Sequence, residues 1–134
     1  NQLQLFTNLY PKSERVKECN NLIDELREKL AKKAFYNAKQ NYITEYHKAA
    51  IITFKNVLID FPGSKYEEEI YFLIIESSFL LAKNSINTKK EERLENTIDA
   101  YNEFTEKYPE SNFIKQAIRT KQKTLKLIET LKQS

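Results

Sequence analysis

The chain of 134 residues contains one glycine, three prolines, one cysteine and one histidine, and neither methionine nor tryptophan. So little glycine and proline argues against sandwiches, barrels and other folds built on tight turns. One glycine also removes every glycine-rich phosphate loop, since such loops need several glycines to bring backbone N–H groups against phosphate. P-loop and dinucleotide-binding enzymes are thereby disfavoured. A lone Cys19 forms no internal disulfide, and a lone His47 builds no histidine-based metal cluster. No run of 18 apolar residues occurs. The longest apolar-rich stretch, Ile70 to Ala82, is interrupted by Glu76, Ser77 and Ser78 and reads as a buried core helix. The chain begins without methionine and without an apolar signal segment, which predicts a processed chain or a fragment.

What remains is the composition of a helical domain. Hydrophobic residues make up 40% and charged residues 31%, with a net charge of +3. That balance describes a solvated helical surface around a core, and a single domain covering residues 1–134.

All three prolines stand in one recurring mark: Tyr10-Pro11-Lys12-Ser13, Phe61-Pro62-Gly63-Ser64 and Tyr108-Pro109-Glu110-Ser111. Proline disfavours the α conformation in the residue before it, so a helix should end at each aromatic. The serine two residues on is placed to cap the next helix. Ser64 with Glu67, and Thr88 with Glu91, have the spacing of capping boxes. The segments around the second and third marks also match at an offset of 47: Ile51 with Ile98, Phe54 with Tyr101, Phe61 with Tyr108, Tyr66 with Phe113. Each gives one apolar helical stripe. The repeat is a structural unit.

These signals predict a helix ending over residues 3–10 and a long helix from Ser13 to about Tyr42. Shorter ones follow over His47–Asp60, Lys65–Lys83, Thr88–Lys107 and Asn112 to about Lys132. The helix over Lys65–Lys83 is apolar nearly all round and should be packed on several sides, at the centre. In the last helix Ile114, Ile118, Leu125, Ile128 and Leu131 should form the buried face. The fold class is all-α, a solenoid of antiparallel helix pairs in which each pair touches its sequence neighbours.

The spacing of Ala38, Ala50 and Phe54, closed by Pro62, resembles the tetratricopeptide family. There, small residues let paired helices approach and the aromatic fills the gap between pairs. Glu45 stands where that family usually has a turn glycine, Asn41 where an aromatic is usual, and the 47-residue spacing exceeds its usual 34. The extra length falls around Lys83–Arg93. A longer match runs from Tyr46 to Lys55, through Asp60-Phe61-Pro62-Gly63-Ser64-Lys65-Tyr66, then Ser78, Ala82, Asn84-Ser85 and Lys90 to Arg93. It continues in Ala100-Tyr101, Phe104 and Glu106 to Ser111. This pattern, over about residues 10–130, is similar to the BamD family of outer-membrane β-barrel assembly lipoproteins. The stretched connection is similar to that of Bacteroidetes-type members, and the match falls on the family's later repeats.

That resemblance implies a non-catalytic scaffold at the periplasmic face of the outer membrane, anchored there by a lipid. It would bind the periplasmic domains of the barrel-assembly subunit and other accessory lipoproteins. The family's lipidated cysteine has no counterpart here, because Cys19 lies within a charged helical segment. The alternative is a general tetratricopeptide adaptor, periplasmic or cytoplasmic. No cofactor is implied, and nucleic acid is disfavoured by the small net charge and the lack of a stacking platform.

The family's inward-facing positions, carried over from Ala38, give Phe35, Lys39 and Tyr42, and from the helix beginning at Ser64, Glu67 and Tyr71. The bland reading of the aromatics is packing between repeats. The last helix adds a basic face. Lys115, Arg119, Lys121, Lys123, Lys126 and Lys132 against Glu129 give +5 over residues 112–134. A solvated cap is the default for it, and docking to an acidic surface is the functional alternative. The acidic run Glu67-Glu68-Glu69 is explained by the helix dipole, and His47 and Cys19 need no catalytic role.

Overall fold

A computed structural model describes residues 12–133. Five helices follow in order: α1 Lys12–Ile43, α2 His47–Asp60, α3 Glu67–Lys83, α4 Asn87–Lys107 and α5 Ile114–Gln133. No strand occurs among the described residues. The all-α solenoid expected from the repeat is what forms. The helix end expected over residues 3–10, and Pro11 of the first mark, lie outside the described residues.

The turn between α1 and α2 is a helix stop built on backbone bonds. Tyr46 N–H donates to Asn41 O at 2.9 Å and Glu45 N–H to Tyr42 O at 3.2 Å. This is the paired bonding of a Schellman motif, which places the residue after the cap in the left-handed region. Here that residue is Glu45, with φ of 67°. The backbone thus adopts what a glycine would supply, at the position where the tetratricopeptide pattern has one.

The two linkers at Pro62 and Pro109 share one hydrogen-bond scheme, although Gly63 takes a left-handed φ of 76° and Glu110, its counterpart, does not. Phe61 and Tyr108 cap the incoming helices with φ of −131° in both. Phe61 N–H bonds Val57 O as Tyr108 N–H bonds Phe104 O. Ser64 N–H reaches Phe61 O, and Ser111 N–H reaches Tyr108 O. Glu67 and Ile114 donate to the serine carbonyls, while Ile70 and Ala117 donate to Tyr66 O and Phe113 O. The serine hydroxyls accept from Tyr66 N–H and Phe113 N–H. Five hydrogen bonds recur 47 residues apart.

Neither expected capping box forms. Ser64 Oγ satisfies a turn N–H before the helix, and the Glu67 carboxylate takes the Gly63 N–H at 2.8 Å instead of that of Ser64. Thr88 lies inside the first turn of α4, whose N-cap is Ile86 with no side-chain bond. The N-cap stands two residues earlier than the Thr88–Glu91 spacing implies.

α3 is the hub. It packs against α2 and α4 along its length and touches α1 and α5. Its Ile70, Phe72, Leu73, Ile74, Ile75 and Phe79 are all buried, each such side chain contributing about 1.5–3 kcal/mol relative to exposure. Ala38, Ala50, Ala82 and Ala117 are fully buried where helices approach. Phe35 of α1 stacks on Tyr66 at 4.7 Å and 14°, and Phe72 of α3 stacks on Phe113 at 4.8 Å and 13°. In each pair the linker aromatic lies flat on a phenylalanine of the preceding inner helix.

α5 departs from its expected face. Its buried side chains are Ala117, Thr120 and Thr124, whereas Ile118 and Leu125 are exposed. The small side chains let α5 approach the hub, and the threonine hydroxyls find partners: Thr124 Oγ1 donates to Thr120 O at 2.7 Å and Thr120 Oγ1 to Glu76 at 2.5 Å.

Candidate protein-docking surfaces

Helical periodicity divides α3 into two faces. Glu67, Tyr71, Ile74, Ser78 and Leu81 recur every three or four residues. Glu69, Leu73, Glu76 and Leu80 do the same about 200° around the axis. The first face meets α4 and the second meets α1 and α5.

On the second face, Lys39 Nζ lies 3.1 Å from Glu69 Oε2 and 5.6 Å above the Phe35 ring. One turn further along α1, Tyr42 is half-buried, and its hydroxyl is pushed up by burial and by the neighbouring Glu76 carboxylate. Glu76 is itself pushed up by burial, opposed by the Thr120 hydrogen bond and by the charge of Lys123 on α5. Lys39, Tyr42, Glu69, Glu76, Thr120 and Lys123 thus form a polar seam joining α1, α3 and α5. Together with the seam's Lys123, the side chains of Lys115, Arg119 and Lys126 are exposed on one side of α5, a solvated basic stripe about 16 Å long.

On the first face, Glu67 is nearly buried and receives three bonds. Tyr108 Oη donates to Oε1 at 2.6 Å, Lys107 Nζ lies 2.7 Å from the same oxygen, and Gly63 N–H donates to Oε2. Burial alone would raise this carboxyl; the bonds from Lys107, Tyr108 and Gly63 outweigh it and bring it down to about 2. Lys107 also sits 5.3 Å above the Tyr71 ring. The arrangement clamps the linker at Gly63 to the end of α4.

The predicted set is therefore divided. Phe35 is 1% exposed and stacked on Tyr66, so it belongs to the core and presents nothing to a partner. Glu67 and Tyr71 do not share the inward face with Lys39 and Tyr42. Carrying positions over from Ser64 selected the α4 side of α3, and the residues that meet α1 are Glu69 and Glu76. Lys121, grouped with the basic face, lies 4.7 Å above the Tyr101 ring.

A further surface went unread. α2 and α4 both rest on α3 but do not touch each other. Between them runs an open groove of about 670 Å³, floored by Tyr71, Ile74, Ser78 and Leu81 of α3. Ile52 and Ile59 of α2 edge it and are 52% and 74% exposed. Their spacing of seven, off the Ile51–Phe54–Leu58–Phe61 stripe, was the available signal.

Among the described residues there is no cluster of three or more His, Cys, Asp and Glu side chains suited to a metal ion, and no helix long and apolar enough to cross a membrane. His47 and Cys19 lie on different helices, and Cys19 is a free thiol on α1. No curated protein matches the chain. A family model described as YfiO, outer membrane lipoprotein, matches residues 1–94, which takes in α1, α2, α3 and the first turns of α4. The helix-pair architecture and this match over more than half of the sequence together establish that the chain belongs to the YfiO outer membrane lipoprotein family.

Proposed function

We propose that the protein is a non-catalytic scaffold in outer-membrane β-barrel assembly, binding periplasmic domains of the barrel-assembly machinery from the periplasmic face of the outer membrane. Family membership carries this reading. The surface chemistry is in keeping with it: helix pairs expose charged and aromatic side chains around a rigid hub, the property of a repeat protein that binds other proteins. The Bacteroidetes-type connection after Ala82 and placement among the later repeats remain part of the proposal, as does lipid anchoring of the full protein.

Lys39, Tyr42 and Tyr71, with Lys115, Arg119, Lys123 and Lys126 on α5, are the proposed partner contacts. The exposed basic stripe favours an acidic partner surface, with rim charges speeding association and fixing register. α5 lies beyond the family match, so its role rests on its exposure and charge.

The test is a pulldown from detergent-solubilised native envelopes with this chain as bait, followed by mass spectrometry. Recovery of a barrel-assembly subunit, weakened by Arg119→Glu with Lys123→Glu, is the expected result. Recovery only of unrelated proteins would favour a general tetratricopeptide adaptor. Undiminished recovery with the double variant would move docking away from α5.

A further inference from the structure

The groove between α2 and α4 is chemically distinct from the basic stripe and lies on the opposite face of the hub. A second hollow of about 550 Å³ continues it past His47 and Asn84, sharing Lys48, Ile52, Leu81 and Arg93 with the first. At the other end Tyr71 and Glu103 lead on to Glu106 and Lys107. The slot therefore follows α2 for its whole length. α2 and α4 run in the same direction, each antiparallel to α3, and their separation leaves the α3 side chains as an open floor.

Its edges differ in charge. Lys48 and Lys55 line the α2 edge, two helical turns apart, and both are exposed. Asp99 and Glu103, one turn apart and also exposed, line the α4 edge. No ion pair crosses the groove between these residues among the described ones. Arg93, held by Ser85 Oγ at 2.7 Å, lines the junction of the two hollows beside Lys48. An apolar floor between one basic and one acidic edge is complementary to an amphipathic helix that carries carboxylates along one flank and ammonium or guanidinium groups along the other.

We propose that this groove binds one amphipathic helix of a protein partner, its apolar ridge on Tyr71, Ile74 and Leu81, its acidic flank toward Lys48 and Lys55, and its basic flank toward Asp99 and Glu103. Ala100 and Ser78 are the small residues that give the ridge depth. Ile52 and Ile59 supply the apolar wall that the occupant covers. This docking is independent of the assembly reading and of the α5 stripe.

The experiment uses the 134-residue chain and two stapled helical peptides of about 14 residues, a length that spans the groove at 1.5 Å per residue. Both carry leucines at i, i+3, i+4 and i+7. One has glutamates on one flank and lysines on the other; the second has lysines on both. Binding is read by fluorescence anisotropy and by methyl chemical shifts. The wild-type chain is expected to bind the mixed-flank peptide at least fivefold tighter, with shifts centred on Ile52, Ile59, Ile74 and Leu81. Lys48→Glu with Lys55→Glu, both exposed changes, should reverse that preference, and Ile59→Lys should weaken both peptides.

Equal affinity for the two peptides, shifts centred on α5, or no binding at millimolar peptide would each overturn the proposal. So would concentration-dependent self-association that Ile59→Lys abolishes, because the occupant would then be a second copy. Methyl shifts produced at the groove by anionic vesicles alone, with no peptide binding, would assign it to a membrane surface instead.

Discussion

Phe35 and Tyr66 stack with ring centroids 4.7 Å apart and planes 14° from parallel, although 31 positions separate them in the chain. The contact ties an inner helix to the linker that follows the next outer helix, so it closes one repeat around α2. Phe72 and Phe113 repeat it around α4. The linker aromatics emerge from hydrogen-bonded turns of the same design, which explains the matching geometry.

Truncating either buried phenylalanine should leave a cavity at a repeat junction. Phe35→Ala and Phe72→Ala are each expected to lower stability by about 3–5 kcal/mol. Tyr36→Ala, at a half-exposed ring beside the same stack, should cost about 1 kcal/mol or less. Urea unfolding followed by circular dichroism measures all three, and comparable losses at Tyr36 and Phe35 would contradict the assignment.

The Glu67 clamp should be visible in acid. Its carboxyl titrates near 2 in the folded chain against about 4.5 when unfolded. A depressed acid pKa contributes stability that is complete above the unfolded value and is lost as pH falls from about 4.5 toward 2. Glu67→Gln should cost about 2 kcal/mol at neutral pH through the weakened Tyr108 and Gly63 bonds. It should also flatten the stability profile over that window, as measured by denaturant midpoints between pH 2 and 7.

Glu76 should behave in the opposite sense. Burial raises its folded pKa above the unfolded value, so the folded state takes up the proton first as pH falls. Its contribution to stability therefore rises on acidification through the interval just above about pH 4.5, and the charged form is a cost at neutral pH. Glu76→Gln keeps an acceptor for Thr120 and should match or exceed the parent at pH 7 while removing this rise. A loss above about 2 kcal/mol would show that the charge itself holds the seam.

Two turns test the backbone. Glu45 occupies the left-handed region at φ of 67°, where a side chain costs about 1 kcal/mol. Glu45→Gly should raise the melting temperature by a few degrees. Gly63 has φ of 76°, with open space where a Cβ would project. Gly63→Ala should thus lower stability by about 1–2 kcal/mol from conformational strain alone.

Proline punctuation and apolar spacing located every described helix to within two residues. The boundaries His47–Asp60 were fully legible, because the turn after α1 and Pro62 mark both ends. Capping was harder, since Glu67 finds a better set of donors in Gly63, Lys107 and Tyr108, partners assembled only by the fold. The face of α5 was misread for a different reason. Counting large apolar residues selects Ile118 and Leu125, but a close helix approach favours Ala117 and threonines that bond locally. Phe35 was visible as an aromatic at the right spacing, yet its burial depends on Tyr66, which no local pattern connects to it. The α2–α4 groove leaves only the Ile52–Ile59 spacing as its trace in sequence, because it is defined by two helices that do not meet.

The paired linkers also determine how the structure grows. Successive helix pairs are related by a rotation and a translation, and that operation is set where the chain leaves one pair and enters the next. The bonds at Phe61–Ser64 and Tyr108–Ser111 are nearly all between backbone atoms, so the scheme is kept although Gly63 takes a left-handed φ that Glu110 does not. A joint whose bonds are written in the main chain leaves the outward side chains free to diversify without loosening it.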